Sequence, residues 1–355
     1  MTRLEKLMYS LAPIADCAVI TDDINRRYFT GMKSSAGTLL VFPEQAYFII
    51  DFRYIEKARE VVRDCKVMLR AKDHTAQLKR LMAAHDAKSI AIDSQTCTVS
   101  QLSYYQSRLG AEVVSSGKLA SLIRGIRSVK EPEEIKKMIA AQRIAEKGLE
   151  HMLGFIRPGR TEKEIQLELD YYMLRNGAEA LSFDTIALSG SNTSLPHGVP
   201  SDKKVESGEF VLMDFGAVVD GYNSDMTRTV CVGKPSEEME RVYDIVLRAQ
   251  TAGINSVREG IRGCDLDKIA RDIIAAEGFG KAFGHSLGHG VGVEIHEDPY
   301  ASPSSKARLE AGNVVTVEPG IYLEGRFGVR IEDFVVVTED GCINMTLAPK
   351  NLICL

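Results

Sequence analysis

The sequence predicts an α+β protein in two parts: a smaller α/β domain over residues 1–125, then a larger domain over 126–355 built from a duplicated helix–helix–hairpin unit. Three observations carry this prediction. Strand-like runs alternate with helical ones in the first third of the chain. Charge density then jumps at IRSVKEPEEIKKM, where Pro132 suits a first helical turn, placing the boundary near Arg124 to Lys130. Beyond it, two helices followed by a β-rich pair occur twice, and the junctions IRPGRTEKEI and VREGIRGCDLDKI set Gly159 and Gly260 101 residues apart.

In the first part CAVIT, GTLLVF and AYFIID read as strands, and YIEKAREVV and TAQLKRLMAAH as helices. In the second, Ile135, Met138, Ile139, Gln142, Ala145, Leu149 and Met152 keep helical spacing, which predicts an amphipathic helix over 132–154. Thr161 and Glu164 form a T-x-x-E capping box that opens a second helix, ending near Asn176-Gly177. The run EFVLMDFGAVVDGYNSDMTRTVCV folds back around Asp220-Gly221, a hairpin signal. The order then repeats, with helices from Ser236 to about Arg258 and from Asp265 to about Glu277, and NVVTVEPGIYLEGRFGVRIEDFVVV turning around Gly325. Two such halves can join their hairpins into one curved antiparallel sheet with helices outside, and a site between the halves is then natural.

Composition bounds the function classes. A chain of 355 residues with 45% hydrophobic and 26% charged side chains can bury two sizeable cores. Its net charge of −5 argues against a nucleic-acid partner, which needs a basic face. Seven scattered cysteines without a C-x-x-C arrangement suit a reducing compartment. The N-terminus lacks a signal-peptide apolar core and no apolar run reaches the ~18 residues of a membrane span, so a cytoplasmic, membrane-free protein is expected.

The strands carry unexpected acids. Asp214 interrupts VLMDF and Asp225 opens the returning strand, so a tight turn centred on Val219-Asp220 would set them directly across from each other. The second hairpin repeats the arrangement with Glu318 in TVEPG and Glu332 in VRIED, whose midpoint is Gly325, compatible with a three-residue or bulged loop. Asp214 and Glu318 lie 104 residues apart, Asp225 and Glu332 107. Any one of them alone reads equally well as an exposed strand residue. Four at pseudo-symmetric places would repel unless cations bound them, and an oxygen-rich set with one imidazole, His289, suits a pair of divalent ions.

The stretch FGHSLGHGVG offers other chemistries, which fail. Its G-x-S-x-G pattern at Ser286 would need an acid and then a histidine downstream, yet only His289 and His296 follow, with Glu294 the only acid between Ser286 and His296. HSLGH lacks the glutamate of H-E-x-x-H, and GHGVG lacks G-x-G-x-x-G spacing.

Asp214, Asp225, His289, Glu318 and Glu332, in the contexts MDFG, SDMTRT, GHGVG, VEPGIY and RIED, resemble the ligand set of the dinuclear metallopeptidases of the pita-bread fold, the creatinase/methionine aminopeptidase-like architecture. The creatinase-like first domain and LPHGVPSDKKVESGE point to the Xaa-Pro branch, prolidase and aminopeptidase P. The resemblance implies that Asp214 chelates one metal, that Asp225 and Glu332 bridge two, and that His289 and Glu318 complete the other shell. It implies a metal-bridging hydroxide as nucleophile, with Glu318 carrying the proton to the leaving proline nitrogen. His197 and His296 would act in catalysis, and His197, His285, His296 and Arg330 would line the substrate site. Two divalent ions are implied, manganese foremost with cobalt or zinc tolerated, together with an Xaa-Pro peptide substrate and a homodimer. Several relatives bring a tryptophan from the partner subunit, and this chain has none, leaving Tyr28, Tyr54 or another aromatic residue as the substitute. Methionine aminopeptidases share the ligands but usually lack such a first domain, while creatinases and non-catalytic binding relatives lack the metal set. His74, His85 and His151 are expected at the surface.

Overall fold

The computed structural model describes residues 1–355, which divide into two units, Met1–Arg127 and Ser128–Leu355. The first is a six-stranded mixed sheet in the order Lys66–Leu69, Ala46–Ile50, Thr38–Val41, Cys17–Ile20, Ser89–Ile92, Glu112–Val114. Strands Ala46–Ile50, Thr38–Val41 and Cys17–Ile20 pair antiparallel and the remaining pairings are parallel; the two parallel pairs that are consecutive in the chain, Ala46–Ile50 with Lys66–Leu69 and Ser89–Ile92 with Glu112–Val114, are each joined through a helix as such connections require. Leu40, Phe42, Ile49, Ile90 and Ile92 are buried in its core. The expected strands and helices are present. His85 and His74 are not bare surface groups, however: His85 stacks on Phe42 at 4.1 Å and His74 bonds Thr38 at 3.2 Å, both half-buried. An imidazole has an apolar face that packs as well as a polar edge.

The second unit holds the two helix–helix–hairpin repeats. The first helix runs Pro132–Phe155, with proline at its first turn and a Glu131/Glu134 capping box. The next, Glu162–Arg175, is closed by the Thr161 box, the Glu164 amide reaching Thr161 Oγ1 at 3.0 Å and the Thr161 amide reaching Glu164 Oε2 at 2.8 Å. His151 lies between these two helices, stacked on Tyr172 and 2.7 Å from Glu168, again half-buried rather than exposed. In the second repeat, Glu237–Ser256 is capped by Ser236, and Gly263–Ala276 begins two residues before the expected Asp265. Each repeat buries its own core. Ala141, Leu149, Ile165 and Leu169 pack on Val211, Met213 and Phe215 of the first hairpin, and Val242, Val246, Leu266 and Ala270 pack on Val315, Val317 and Val335 of the second.

The hairpins do not make one continuous curved sheet. They form four ladders, with three strands (Ala180–Leu181, Ala217–Val219, Tyr222–Asn223), three (Ile186–Ser189, Glu209–Phe215, Met226–Val232), five (around Val314–Val317 and Asp333–Val337) and two (Gly320–Leu323, Phe327–Arg330). The breaks fall at residues 216, 224–225, 318–319 and 331–332. Asp225, Glu318 and Glu332 fall at these breaks, whereas Asp214 stays within its ladder. The halves are joined there by Glu332 N to Thr227 O at 3.2 Å and by Arg330 O accepting from Thr229 Oγ1 at 3.0 Å.

The expected register of the first hairpin is off by two residues. Val219 stands across from Tyr222 and Thr227 across from Asp214, so the turn is Asp220-Gly221 and Asp214 does not face Asp225. Both turn residues have left-handed φ, +48° and +82°, the conformation a two-residue hairpin turn takes up to match strand twist. The second hairpin keeps its expected pairing, with Gly320 across from Arg330 and Val317 across from Asp333, so that Glu318 and Glu332 fall opposite each other.

Candidate metal centre

All five expected ligands line one cavity of about 450 Å³ in the second unit. Asp214 sits near the end of Glu209–Phe215 and Asp225 just before Met226–Val232. His289 is the middle of the short strand Gly288–Gly290, Glu318 follows Val314–Val317, and Glu332 precedes Asp333–Val337. His289 Nε2 is 3.3 Å from Glu318 Oε1 and 3.6 Å from Asp225 Oδ2. Ligand atoms of Asp225, His289 and Glu332 all lie within 4.8 Å of one another. Both strands of each repeat's hairpin thus deliver an acid to one cavity.

Neighbouring side chains hold these groups in place. Thr227 Oγ1 donates to Glu332 Oε2 at 2.7 Å and accepts from Arg330 Nε at 2.9 Å. Thr316 does the same in the other repeat, donating to Glu318 Oε1 at 3.2 Å and accepting the His289 amide at 3.0 Å. Arg330, buried, reaches Asp214 Oδ2 at 2.6 Å, Tyr322 Oη at 2.8 Å and the Pro196 carbonyl at 3.3 Å. Tyr322, Thr227 and Thr316 were not singled out in the sequence. A usable signal existed, since Thr227 and Thr316 lie two residues from a ligand and so share its strand face.

These contacts fix the tautomers. His289 Nδ1 lies 3.1 Å from the Gly290 carbonyl, to which it must donate, leaving Nε2 to face the carboxylates as a ligand nitrogen would. His285 Nδ1 likewise donates to the Ser286 carbonyl at 2.8 Å, so Nε2 accepts from Tyr322 Oη at 2.9 Å, and Tyr322 in turn accepts from Arg330. Burial holds His285 below the usual imidazole value, consistent with this neutral form. Both its ring nitrogens are engaged within the protein. His197 and His296 line the cavity with exposed rings, His296 packed edge-on against His289 at 4.3 Å between centroids.

The donor set fits divalent cations. Burial, then the neighbouring acids, push the Asp225 and Glu332 carboxyls well above their usual range, the signature of crowded like charges awaiting compensation. Burial pulls the His289 imidazolium down, but the Glu318 bond and the charges of Glu318 and Asp225 outweigh it and raise its value to about 9. Asp214 Oδ1 is buried and accepts no hydrogen bond although Oδ2 is engaged. Four carboxylates and one imidazole are hard and borderline donors of the kind such ions take.

Two glycines of GHGVG, Gly288 and Gly290, are required by the close approach of neighbouring backbone. A Cβ on Gly288 would lie 2.0 Å from the Thr316 carbonyl oxygen, and one on Gly290 2.5 Å from that of Asp298. Neighbouring backbone, on both sides of His289, requires them.

Comparison with known proteins agrees with this geometry. Residues 136–339 match the model of metallopeptidase family M24 and residues 1–129 that of the creatinase/prolidase N-terminal domain. The chain is 41% identical to an uncharacterized peptidase of Bacillus subtilis over 99% of its own length and 100% of that protein. Among solved structures, an Xaa-Pro dipeptidase from Bacillus anthracis superposes with a TM-score of 0.96 at 39% identity, covering 99% of each chain. An X-Pro aminopeptidase from Thermotoga maritima gives 0.91 at 37%, covering 96% of this chain and 98% of the other. The chain belongs to metallopeptidase family M24: a creatinase/prolidase N-terminal domain ahead of a pita-bread peptidase domain that takes divalent metal ions.

Proposed function

We propose that the protein removes the N-terminal residue from peptides with proline in second position, and that Asp214, Asp225, His289, Glu318 and Glu332 hold two divalent ions, manganese foremost. The observation that supports this most is the convergence of four carboxylates and one correctly oriented imidazole, drawn from both repeats, on one cavity. The similarity to an Xaa-Pro dipeptidase and an X-Pro aminopeptidase supports the proline specificity.

The bound ions would lower the pKa of water and polarise the scissile carbonyl. The protein's own groups do the rest. Glu318, opposite Glu332 at the mouth of the second hairpin, takes the proton of the attacking water and returns it to the proline nitrogen, which has no hydrogen of its own in the peptide and must gain one to leave. His197 and His296, exposed on the cavity wall, donate to the substrate carbonyl as negative charge develops on its oxygen. His285 and Tyr322 act through Arg330, holding its guanidinium on Asp214.

The test compares hydrolysis of Ala-Pro, Ala-Pro-Ala and Ala-Ala-Ala under added manganese, cobalt and zinc. Alanine release from the proline peptides alone is expected. Release from Ala-Pro only would make the protein a dipeptidase, and release from both an aminopeptidase. Equal turnover of Ala-Ala-Ala would replace the reading by a general aminopeptidase, and no release under any metal would sink it.

A further inference from the structure

One carboxylate in the cavity lies outside the proposed metal set. Asp184 lines it together with Ile186, and exposure alternates along this stretch: Asp184 exposed, Thr185 buried, Ile186 half-buried. Residues 184 and 186 thus line one cavity just ahead of and at the start of the strand Ile186–Ser189, with Thr185 between them buried. Ile186 stands across from Asp214 in the ladder. Asp184 is therefore two residues from the one that faces a proposed ligand. Its carboxylate enters no hydrogen bond or ion pair.

The contacts within the cavity leave this group for the substrate. Arg330 is the only lysine or arginine lining the cavity, and it is held by Asp214, Thr227, Tyr322 and Pro196. Asp214, Asp225, Glu318 and Glu332 would be balanced by two divalent ions. Asp184 is thus the one carboxylate of the cavity that neither Arg330 nor the proposed ion set engages, and the same wall also carries the apolar Phe183 and Ile186.

We propose that Asp184 selects the first residue of the substrate, favouring lysine or arginine. The inference rests on the Xaa-Pro reading above. The cationic head meets the carboxylate while the methylene stem lies against Phe183 and Ile186, the division of labour that long basic side chains adopt at half-apolar surfaces. Proline in second place offers no polar side chain to compete for this carboxylate.

The experiment measures kcat/KM of the metal-loaded full-length protein on Lys-Pro-Ala, Met-Pro-Ala, Glu-Pro-Ala and Ala-Pro-Lys. An exposed ion pair predicts a two- to fivefold advantage of lysine over methionine, roughly, with glutamate poorest and the advantage shrinking in high salt. Asp184→Asn collapses the lysine-to-methionine ratio, and Asp184→Lys shifts preference toward glutamate. Competitive inhibition by free lysine against norleucine follows the same order, a readout of binding rather than turnover. A ratio near one in the wild type, a ratio unaltered in Asp184→Asn, or a lysine advantage confined to Ala-Pro-Lys would overturn the assignment. If Lys-Ala-Ala is cleaved as fast as Lys-Pro-Ala with the lysine preference intact, the proline reading fails and Asp184 selection stands; no cleavage of any Xaa-Pro peptide overturns both.

Discussion

The two hairpins of the second unit carry the same pair of acids on the same duplicated frame, yet present them differently. In the second, Glu318 and Glu332 face each other across a three-residue turn, and the ladder breaks at both. In the first, a two-residue turn moves the register by two residues, Thr227 opposes Asp214, and Gly216 falls opposite Asp225. A Cβ at Gly216 would meet the Ser224 carbonyl oxygen at 2.0 Å, so only glycine leaves Asp225 its place. The duplication preserves which face the acids share, not which residue each one opposes. Thr227, placed between, is the gain: its hydroxyl ties Arg330 of the second hairpin to Glu332.

The comparison can be broken first at the acids themselves. Asp225→Ala and Glu332→Ala, one from each hairpin, are expected to lower kcat/KM by about a thousandfold or more and to lose both ions, the outcome that a carboxylate shared by two ions would give. Asp214→Ala should retain about one ion per chain. Metal content by mass spectrometry decides the matter, and equal loss in all three would erase the distinction between bridging and single ligands.

Removing the link between hairpins ranks next. Arg330→Met leaves Asp214 buried without its cation and is expected to cost about 3 kcal/mol in urea denaturation of the metal-free protein. A change under 1 kcal/mol would mean the Asp214 contact is incidental. The acids also predict how stability depends on pH. Folded-state values for Asp225, Glu332 and His289 all lie above their ordinary ones, so each contributes stability that is full below the ordinary value and lost as pH rises through the folded one. For His289 that window runs from 6.5 to about 9. The Tm of chelator-treated protein should fall by roughly 5 °C across it, with a flatter profile after metal loading. A rising profile would contradict the sign.

The turns should matter least. Gly325, at φ +69° with open space where a side chain would go, loses about 1 kcal/mol on substitution by alanine, through backbone strain alone. Asp220→Asn, at φ +48°, should stay within about 0.5 kcal/mol, because asparagine tolerates that conformation. Thermal melts that ranked these two the other way would show the turns to be held by their surroundings.

Much of this was legible without coordinates. Helix spacing from Ile135 to Met152, the Thr161 box and the offset between junctions fixed the elements of the second unit to within a residue or two. The four acids were legible because strands seldom carry carboxylates and because the set repeats, and His289 because it falls between the two hairpins. Less visible were the groups that hold them. Tyr322 and Thr316 look like ordinary strand residues until Arg330, His285 and Glu318 are brought beside them. His74, His85 and His151 were misplaced for the same reason, since an imidazole's stacking partner lies elsewhere in the chain.

What the sequence by itself determined was the duplicated frame, the identity of the acids and the strand face they share. Side chains alternate with a period of two, so an error of two residues in pairing leaves Asp214 and Asp225 on the same face, whereas an error of one would have separated them. Only the tertiary structure decided which residue opposes which, where the ladders break, and that Arg330 belongs to Asp214. Those outcomes depend on turn conformation and on contacts between residues more than a hundred positions apart, such as Arg330 with Asp214. Periodicity along the chain carries no record of such contacts.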